Sequence, residues 1–355
     1  MPVLVVLAVM YTLYVARAFF LPIAFALLFS FLLRPVVRTL GRARIPAPLG
    51  AALVMGVLLA GIGAGLYELS GPVKSLTASV PEMLATAGRR TRRLVRPIER
   101  VTKTAEEVGQ TGDASGAQKP AEVVVQGPSL LARVFGTTQI FLAAAVEVLI
   151  LLYFLLAAGD AFLQKLINLL PQLRDKRAAR EIALKTESSI STYLLTTAGV
   201  NALEGLAVAA AMSALGMPNP ELWGALVFVF EFIPYVGALA MVGILAVAAL
   251  TTFDTVGHAL LVPASFLAIN IVQANVVSPL LLGHRLALNP LAVLIGVAFW
   301  FWLWGVAGAF VAVPLMATFK IVCDHVDSLA TVGDILGRPT ATERKAVVTK
   351  AASGA

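Results

Sequence analysis

The chain has 355 residues, a formal net charge of +7 and a mean hydropathy of +0.88; 59% of its residues are hydrophobic and only 13% are charged. Soluble domains carry roughly 25% charged residues, so this composition excludes a soluble globular protein and leaves a membrane protein. The basic balance points to loops that face anionic lipid headgroups rather than to nucleic acid, and Cys323, the single cysteine, excludes an intramolecular disulfide or a thiolate metal cluster.

Residues 2–36 are mostly apolar, with Arg17 and Pro22 inside the stretch. They read as a hairpin of two short crossings turning near Arg17, with one long tilted helix as the alternative. A short basic loop follows, with Arg34, Arg38, Arg42 and Arg44. The third crossing runs from Pro48 to about residue 69 and contains Gly61, Gly63 and Gly65, small residues that let membrane helices approach closely. Residues 71–135 are the largest polar insertion. They hold an apolar stripe at helical spacing from Val73 to Val108, interrupted by Pro81 and Pro97, and then a flexible linker over 109–122. A fourth crossing lies near 140–158. Residues 159–195, with Lys165, Arg174, Lys176, Arg177, Arg180 and Lys185, read as an amphipathic helix broken at Pro171. The two short basic segments are separated by two crossings and share a side, which the positive-inside rule makes cytoplasmic. Both termini then fall on that side and 71–135 outside.

The pattern becomes more specific after residue 195. Residues 222–250 would make a helix of about 43 Å, long for one crossing, and Pro234 interrupts it within Ile233-Pro234-Tyr235-Val236-Gly237. Each half is only about 18–20 Å, too short to span a hydrocarbon core of about 30 Å. Residues 291–319 repeat the plan, with Trp304-Gly305-Val306-Ala307-Gly308 between the halves and Pro314 in the returning one. Asn219-Pro220 opens the first segment and Asn289-Pro290 the second. Each is preceded by an apolar helix with polar residues at mid-length: Asn201 and Glu204 in the first, Asn270, Gln273 and Asn275 in the second. Two re-entrant hairpins in an inverted repeat fit these lengths, a recurrent transporter architecture. Two straight helices kinked at Pro234 and Pro314 are the alternative. The fold expected is all-α: a polytopic helical membrane protein of about eight hydrophobic segments. Its expected divisions are 1–70, 71–135, 136–195, a transport core over 196–325, and a tail over 326–355.

The chain also resembles the autoinducer-2 exporter family of bacterial membrane transporters. The likeness rests on Tyr193-Leu194-Leu195-Thr196-Thr197, Pro218-Asn219-Pro220 with Leu222-Trp223-Gly224, and Phe232 through Gly237. It continues through Asn275 to Ser278-Pro279, Gly283, Leu288-Asn289-Pro290, Trp302-Leu303-Trp304-Gly305 with Gly308, Ala312-Val313-Pro314, and Lys320 through His325. It covers nearly the whole chain. Departures from the family pattern sit at Glu231, Ala238, Gln273, Ala274 and Phe301. The resemblance implies a homo-oligomeric, multi-pass transporter of the bacterial inner membrane. It also implies export of an autoinducer-2-like solute, with sodium (cation)–proton antiport as the alternative.

A carboxylate at the centre of a membrane helix costs about 2.5–3.5 kcal/mol, so Glu204 and Glu231 need a reason to be there, and both are candidates to touch a small polar solute or a monovalent cation. Glu147, alone on its helix, reads as structural. The expected substrate or ion pathway comprises Asn201, Glu204, Glu231, Pro234, Tyr235, Gly237, Gln273, Asn275, Gly305 and Gly308. The tryptophans at 300, 302 and 304 either gate a cavity or settle at the membrane interface. No metalloprotease, serine-hydrolase or nucleotide-loop motif is present, and His258, His284 and His325 have no ligand spacing. A membrane-embedded enzyme is therefore the least favoured reading; no catalytic residue, cofactor or metal is expected, and the expected partners are the solute or cation, membrane lipids and further copies of the chain.

Overall fold

The computed structural model describes residues 2–75, 130–159, 164–165, 168, 173–282, 288–324 and 329–337. The expected amphipathic stripe beyond residue 75, the linker, the break at Pro171 and the segment carrying His284 and Arg285 lie outside the described residues; Val73, the first residue of the stripe, falls in the third helix. The helices are α1 (Pro2–Val15), α2 (Arg17–Arg42), α3 (Ala47–Ser75), α4 (Leu130–Ala158), α5 (Leu173–Ala214), α6 (Pro220–Phe230), α7 (Val236–Thr252), α8 (Val256–Val272), α9 (Ser278–Leu282), α10 (Pro290–Cys323) and α11 (Ala330–Leu336). A π-helical turn, Gln273–Val277, joins α8 to α9. Among the described residues, five helical stretches are by length and composition alone long and apolar enough to cross a membrane, α10 being one although it is broken at Gly305, and shorter apolar helices surround them, so the chain is a polytopic helical membrane protein.

The N-terminal stretch is one bent helix rather than the expected hairpin. Hydrogen bonds run through the bend, from Ala16 N to Thr12 O at 2.8 Å and from Phe20 N to Ala16 O at 3.1 Å. Ala16 departs only modestly from helical geometry, at φ −90° and ψ 22°, and a reversal needs far more. The Leu13 carbonyl at this bend accepts from Trp304 Nε1 at 3.0 Å. With one passage in place of two, the parity argument moves residue 2 to the side opposite Arg34 and Arg38.

The expected separation between a basic helix over 159–195 and a following crossing is also absent. α5 runs unbroken for 42 residues, about 63 Å. Its polar half is held by an ion-pair cluster: Arg34 Nη1 meets Glu187 Oε2 at 2.6 Å, and Arg38 Nη2 meets Glu187 Oε1 at 3.1 Å. Arg34 Nη2 also donates to the Gly159 carbonyl at the end of α4, at 3.2 Å. Glu187 is buried, so its charge is tolerated only because two guanidinium groups surround it. Glu187→Met should lower stability by about 3 kcal/mol, because it breaks the buried Arg34–Glu187 ion pair and with it the joint between α2 and α5. Thermal unfolding in detergent checks this, and an unchanged midpoint would detach the cluster from stability.

The two long segments after α5 both fold back on themselves. α6 ends where Pro234 removes a backbone donor and biases Ile233 away from helix. A side-chain carbon on Gly237 would collide with the carbonyl of Phe230, whereas in a straight helix those residues stand about 10 Å apart. In α10 the same collision joins Gly308 to the carbonyl of Trp300, and Gly296 lies against the Met316 side chain. Residues 296 and 316 would be about 30 Å apart in a straight helix. The backbone of Gly305 (φ 66°, ψ −149°) breaks α10 into two half-helices there. Both segments are therefore hairpins rather than the kinked straight helices of the alternative. Asn289 opens the second hairpin as a true cap, its Oδ1 accepting from Leu291 N at 3.0 Å, with Pro290 at the first helical position. Asn219 opens the first in the left-handed conformation (φ 52°) and makes no side-chain cap.

Packing locks the first hairpin onto its neighbours. Trp223 and Val227 of α6 meet Met241 and Leu245 of α7, with Val208 of α5 and Phe266 of α8 in the same buried cluster. α5 and α6 touch backbone to backbone: a side-chain carbon on Gly205 would sit 2.6 Å from the Gly224 carbonyl oxygen. Ile233, at the first turn, is buried among Val297, Ala309 and Ala312 of the second hairpin, and the Phe232 and Phe310 rings stack at 5.1 Å. The two hairpins thus meet near their tips.

Candidate functional site

Both tips are built on backbone that side chains rarely adopt. Tyr235 (φ 64°, ψ −48°) sits in a γ-turn closed by Val236 N donating to Pro234 O at 2.7 Å. This turn is rare and strained, and strain of this kind costs on the order of 1–3 kcal/mol. Gly305 occupies a region open essentially to glycine alone. Two or three residues beyond each strained position, Gly237 or Gly308 presses on a carbonyl of the opposite half-helix. Glycine is used at these positions because any side chain would hold the two half-helices apart.

Beside the first tip lies a polar cluster whose α5 members are buried and whose other members, Glu231 and Asn270, are half-buried. Asn201 and Glu204 are three residues apart on α5 and share a face, and both are nearly inaccessible at 2% and 3% exposure. Glu231 caps the end of α6. Asn270, on α8, joins the two carboxylates: its Nδ2 donates to Glu204 Oε1 at 2.9 Å and to Glu231 Oε1 at 3.1 Å. One amide nitrogen carries two hydrogens, so each carboxylate receives one. Glu204 Oε2 and Asn201 Nδ2 are buried without a protein partner. Neither carboxylate is paired with a cationic side chain among the described residues.

The structure therefore brings Asn201, Glu204 and Glu231 together and places Pro234, Tyr235 and Gly237 at the tip three to six residues beyond Glu231. Gly305 and Gly308 form the second tip. Gln273 lines a groove beside Glu204, and Asn275 stands apart, exposed, donating its Nδ2 to the Ile271 carbonyl at 2.8 Å. Glu147 is exposed on α4, away from the cluster. Among the tryptophans, Trp304 is buried on the Leu13 carbonyl, while Trp302 is exposed and stacks on Tyr14 at 6.2 Å. Asn270 is the residue that the expected pathway lacks. The sequence marks it only as one of three polar residues in an apolar helix, and its partners are 66 and 39 positions away. No group of three or more potential metal ligands occurs among the described residues.

Comparison with known proteins gives the arrangement its context. The sequence profile described as "AI-2E family transporter" matches residues 3–328. The AI-2 transport protein TqsA of Escherichia coli K12 is 25% identical over 311 residues, 87% of each chain. The putative transport protein YhhT of the same organism is 24% identical over 314 residues, 88% of this chain and 86% of its own. The putative transport protein MT0215 of Mycobacterium tuberculosis is 34% identical over 179 residues, half of this chain and 48% of its own. With its broken helices and a profile match across nearly its full length, this chain is a membrane transport protein and not an enzyme, and it belongs to the AI-2E transporter family.

Proposed function

We propose that the chain exports a small polar organic solute of the autoinducer-2 kind across a bacterial inner membrane, working as a homo-oligomer. The observation that carries this reading is the pair of carboxylates on one amide beside the first hairpin tip, Glu204 buried and Glu231 half-buried, next to an unpartnered donor. Buried polar groups without partners are costly, and a ligand with hydroxyl groups removes that cost at both ends. One hydroxyl accepts from Asn201 Nδ2 and another donates to Glu231. The tips supply the moving parts. In our reading Pro234, Tyr235 and Gly237 shift against Gly305 and Gly308, and the Phe232–Phe310 stack seals the path between cycles. The name of TqsA, an AI-2 transport protein, supports the choice of solute class.

Proteoliposomes loaded with autoinducer-2, and in parallel with a panel of other small polar solutes, test the reading by efflux. Wild type should release autoinducer-2 faster than empty vesicles, and Asn201→Leu and Glu231→Gln should each slow release by about tenfold or more, the scale of one hydrogen bond to a charged group. Efflux equal to empty vesicles would sink the solute assignment, and full activity in both variants would remove the cluster from the path.

A further inference from the structure

Arg17 and Glu147 are charged side chains outside the polar cluster, and both are exposed on helices that run through the membrane. Arg34 Nη2 donates to the Gly159 carbonyl, so the inner ends of α2 and α4 lie at one level. From that level, at 1.5 Å per residue, Arg17 is about 25 Å along α2 and Glu147 about 18 Å along α4, inside a hydrocarbon core of about 30 Å. The depth of Arg17 agrees with Trp304, which belongs to the second hairpin tip and donates to the Leu13 carbonyl, one helical turn away. Neither charge is paired with an opposite one among the described residues. Arg17 lies over the Tyr14 ring at 5.7 Å, which orients the guanidinium without neutralising it. The apolar faces beside them are open as well: Leu7 and Tyr11 of α1, and Ile150 and Phe154 of α4, are all exposed. The other side of α4, with Leu152 and Leu156, is buried against α2 and α3.

We infer that these two faces meet between copies of the chain: α1 and the start of α2 of one copy pack on α4 of the next, and Arg17 pairs with Glu147 of the partner subunit. Ionisable groups at membrane depth almost always face protein or water, so two that face outward mark a surface that something covers. Charge complementarity selects a second copy as the cover. Arg17 taken alone can snorkel to a lipid headgroup, but a carboxylate on a short side chain about 18 Å into the core reaches neither headgroup layer. A second copy supplies both missing charges at once, because every copy carries one of each. The two levels differ by less than two helical turns, a step that an arginine and a glutamate side chain close between them. Donor and acceptor stand on different helices, so each copy offers one face of each sign, and the contact repeats until a symmetric assembly closes. The inference rests on the homo-oligomer of the proposed function and names the contact that builds it.

The test uses the full chain in a Cys323→Ser background, made in two versions with different epitope tags and co-expressed in one membrane. Ala18→Cys in one version and Ala143→Cys in the other place thiols at exposed positions beside the two charges, at nearly the same level, and keep both charges in place. A short bifunctional thiol reagent should join the two tags, whereas Leu239→Cys, exposed on α7, should give only background product with Ala143→Cys. In mild detergent, Arg17→Glu or Glu147→Arg alone should raise the protein concentration needed for assembly by about tenfold or more, the scale of one charge-assisted contact. The two reversals together should restore the wild-type mass by light scattering. An oligomeric wild type that gives no product between the tags would overturn the proposal. Single reversals that leave assembly unchanged would also overturn it, and would leave Arg17 to lipid headgroups. A wild type that is monomeric in lipid nanodiscs would sink the homo-oligomer itself, so the two failures are distinct.

Discussion

Alanine at Gly308, or at Gly237, is expected to remove transport and to destabilise the protein by about 3 kcal/mol or more, at or above the top of the usual ~1–3 kcal/mol cost of overpacking. The reason is the identity of the neighbour. At both positions the added methyl group meets a backbone carbonyl, of Trp300 or of Phe230, rather than the end of a flexible side chain. A side chain can change rotamer, whereas moving the carbonyl means separating two half-helices. That separation also pulls Ile233 out of its place among Val297, Ala309 and Ala312 and parts the Phe232–Phe310 stack. Gly296 is a useful contrast. Its neighbour is the Met316 side chain, which is flexible and can repack, so Gly296→Ala should cost about 1 kcal/mol or less. Thermal unfolding of the three variants in one detergent, with efflux from proteoliposomes, checks the ranking. Gly308→Ala and Gly237→Ala at wild-type stability would mean that the half-helices do not touch as described.

Asn270→Leu should abolish transport while costing only about 1–3 kcal/mol of stability. The two figures separate because interhelical hydrogen bonds in membranes average ~0.6 kcal/mol and reach ~1.7 at most, whereas a buried and a half-buried carboxylate left without a shared donor add a desolvation penalty. Combining Glu204→Gln and Glu231→Gln with Asn270→Leu should recover most of the lost stability, since amides donate as well as accept and can pair with each other. It should not recover transport. If the triple variant transports at the wild-type rate, the cluster is a structural joint between α5, α6 and α8 and nothing more. If stability fails to recover, the coupling through Asn270 is not the source of the loss.

The membrane class, the two broken segments and their tips at Pro234 and Gly305 were legible in the sequence because they follow from local quantities. Hydropathy over a window, half-helix length against bilayer thickness, and proline's missing donor need no knowledge of distant residues. The carboxylates stood out for the same reason, since a charge in hydrocarbon is costly wherever its partner lies. The N-terminal stretch shows where local reading ends. Arg17 in apolar surroundings suggested a turn, but the helix only bends at Ala16, where the Leu13 carbonyl takes its hydrogen bond from Trp304, 291 residues away. A long-range donor decided between reversal and bend. α5 is similar: the polarity of its first half suggested a separate surface helix, and burial of Glu187 between Arg34 and Arg38 binds that half into one 42-residue rod. Asn270 is the clearest case of all. Its residue type and apolar setting mark it no more strongly than Gln273 or Asn275, two more amides within five positions. Which of the three faces Glu204 and Glu231 depends on how α8 is rotated against α5 and α6, and that rotation is set by the packing of Phe266 and Val262 with Val208 and Trp223. Sequence fixes what each residue can donate or accept. Only the packed helices decide which donor reaches which acceptor.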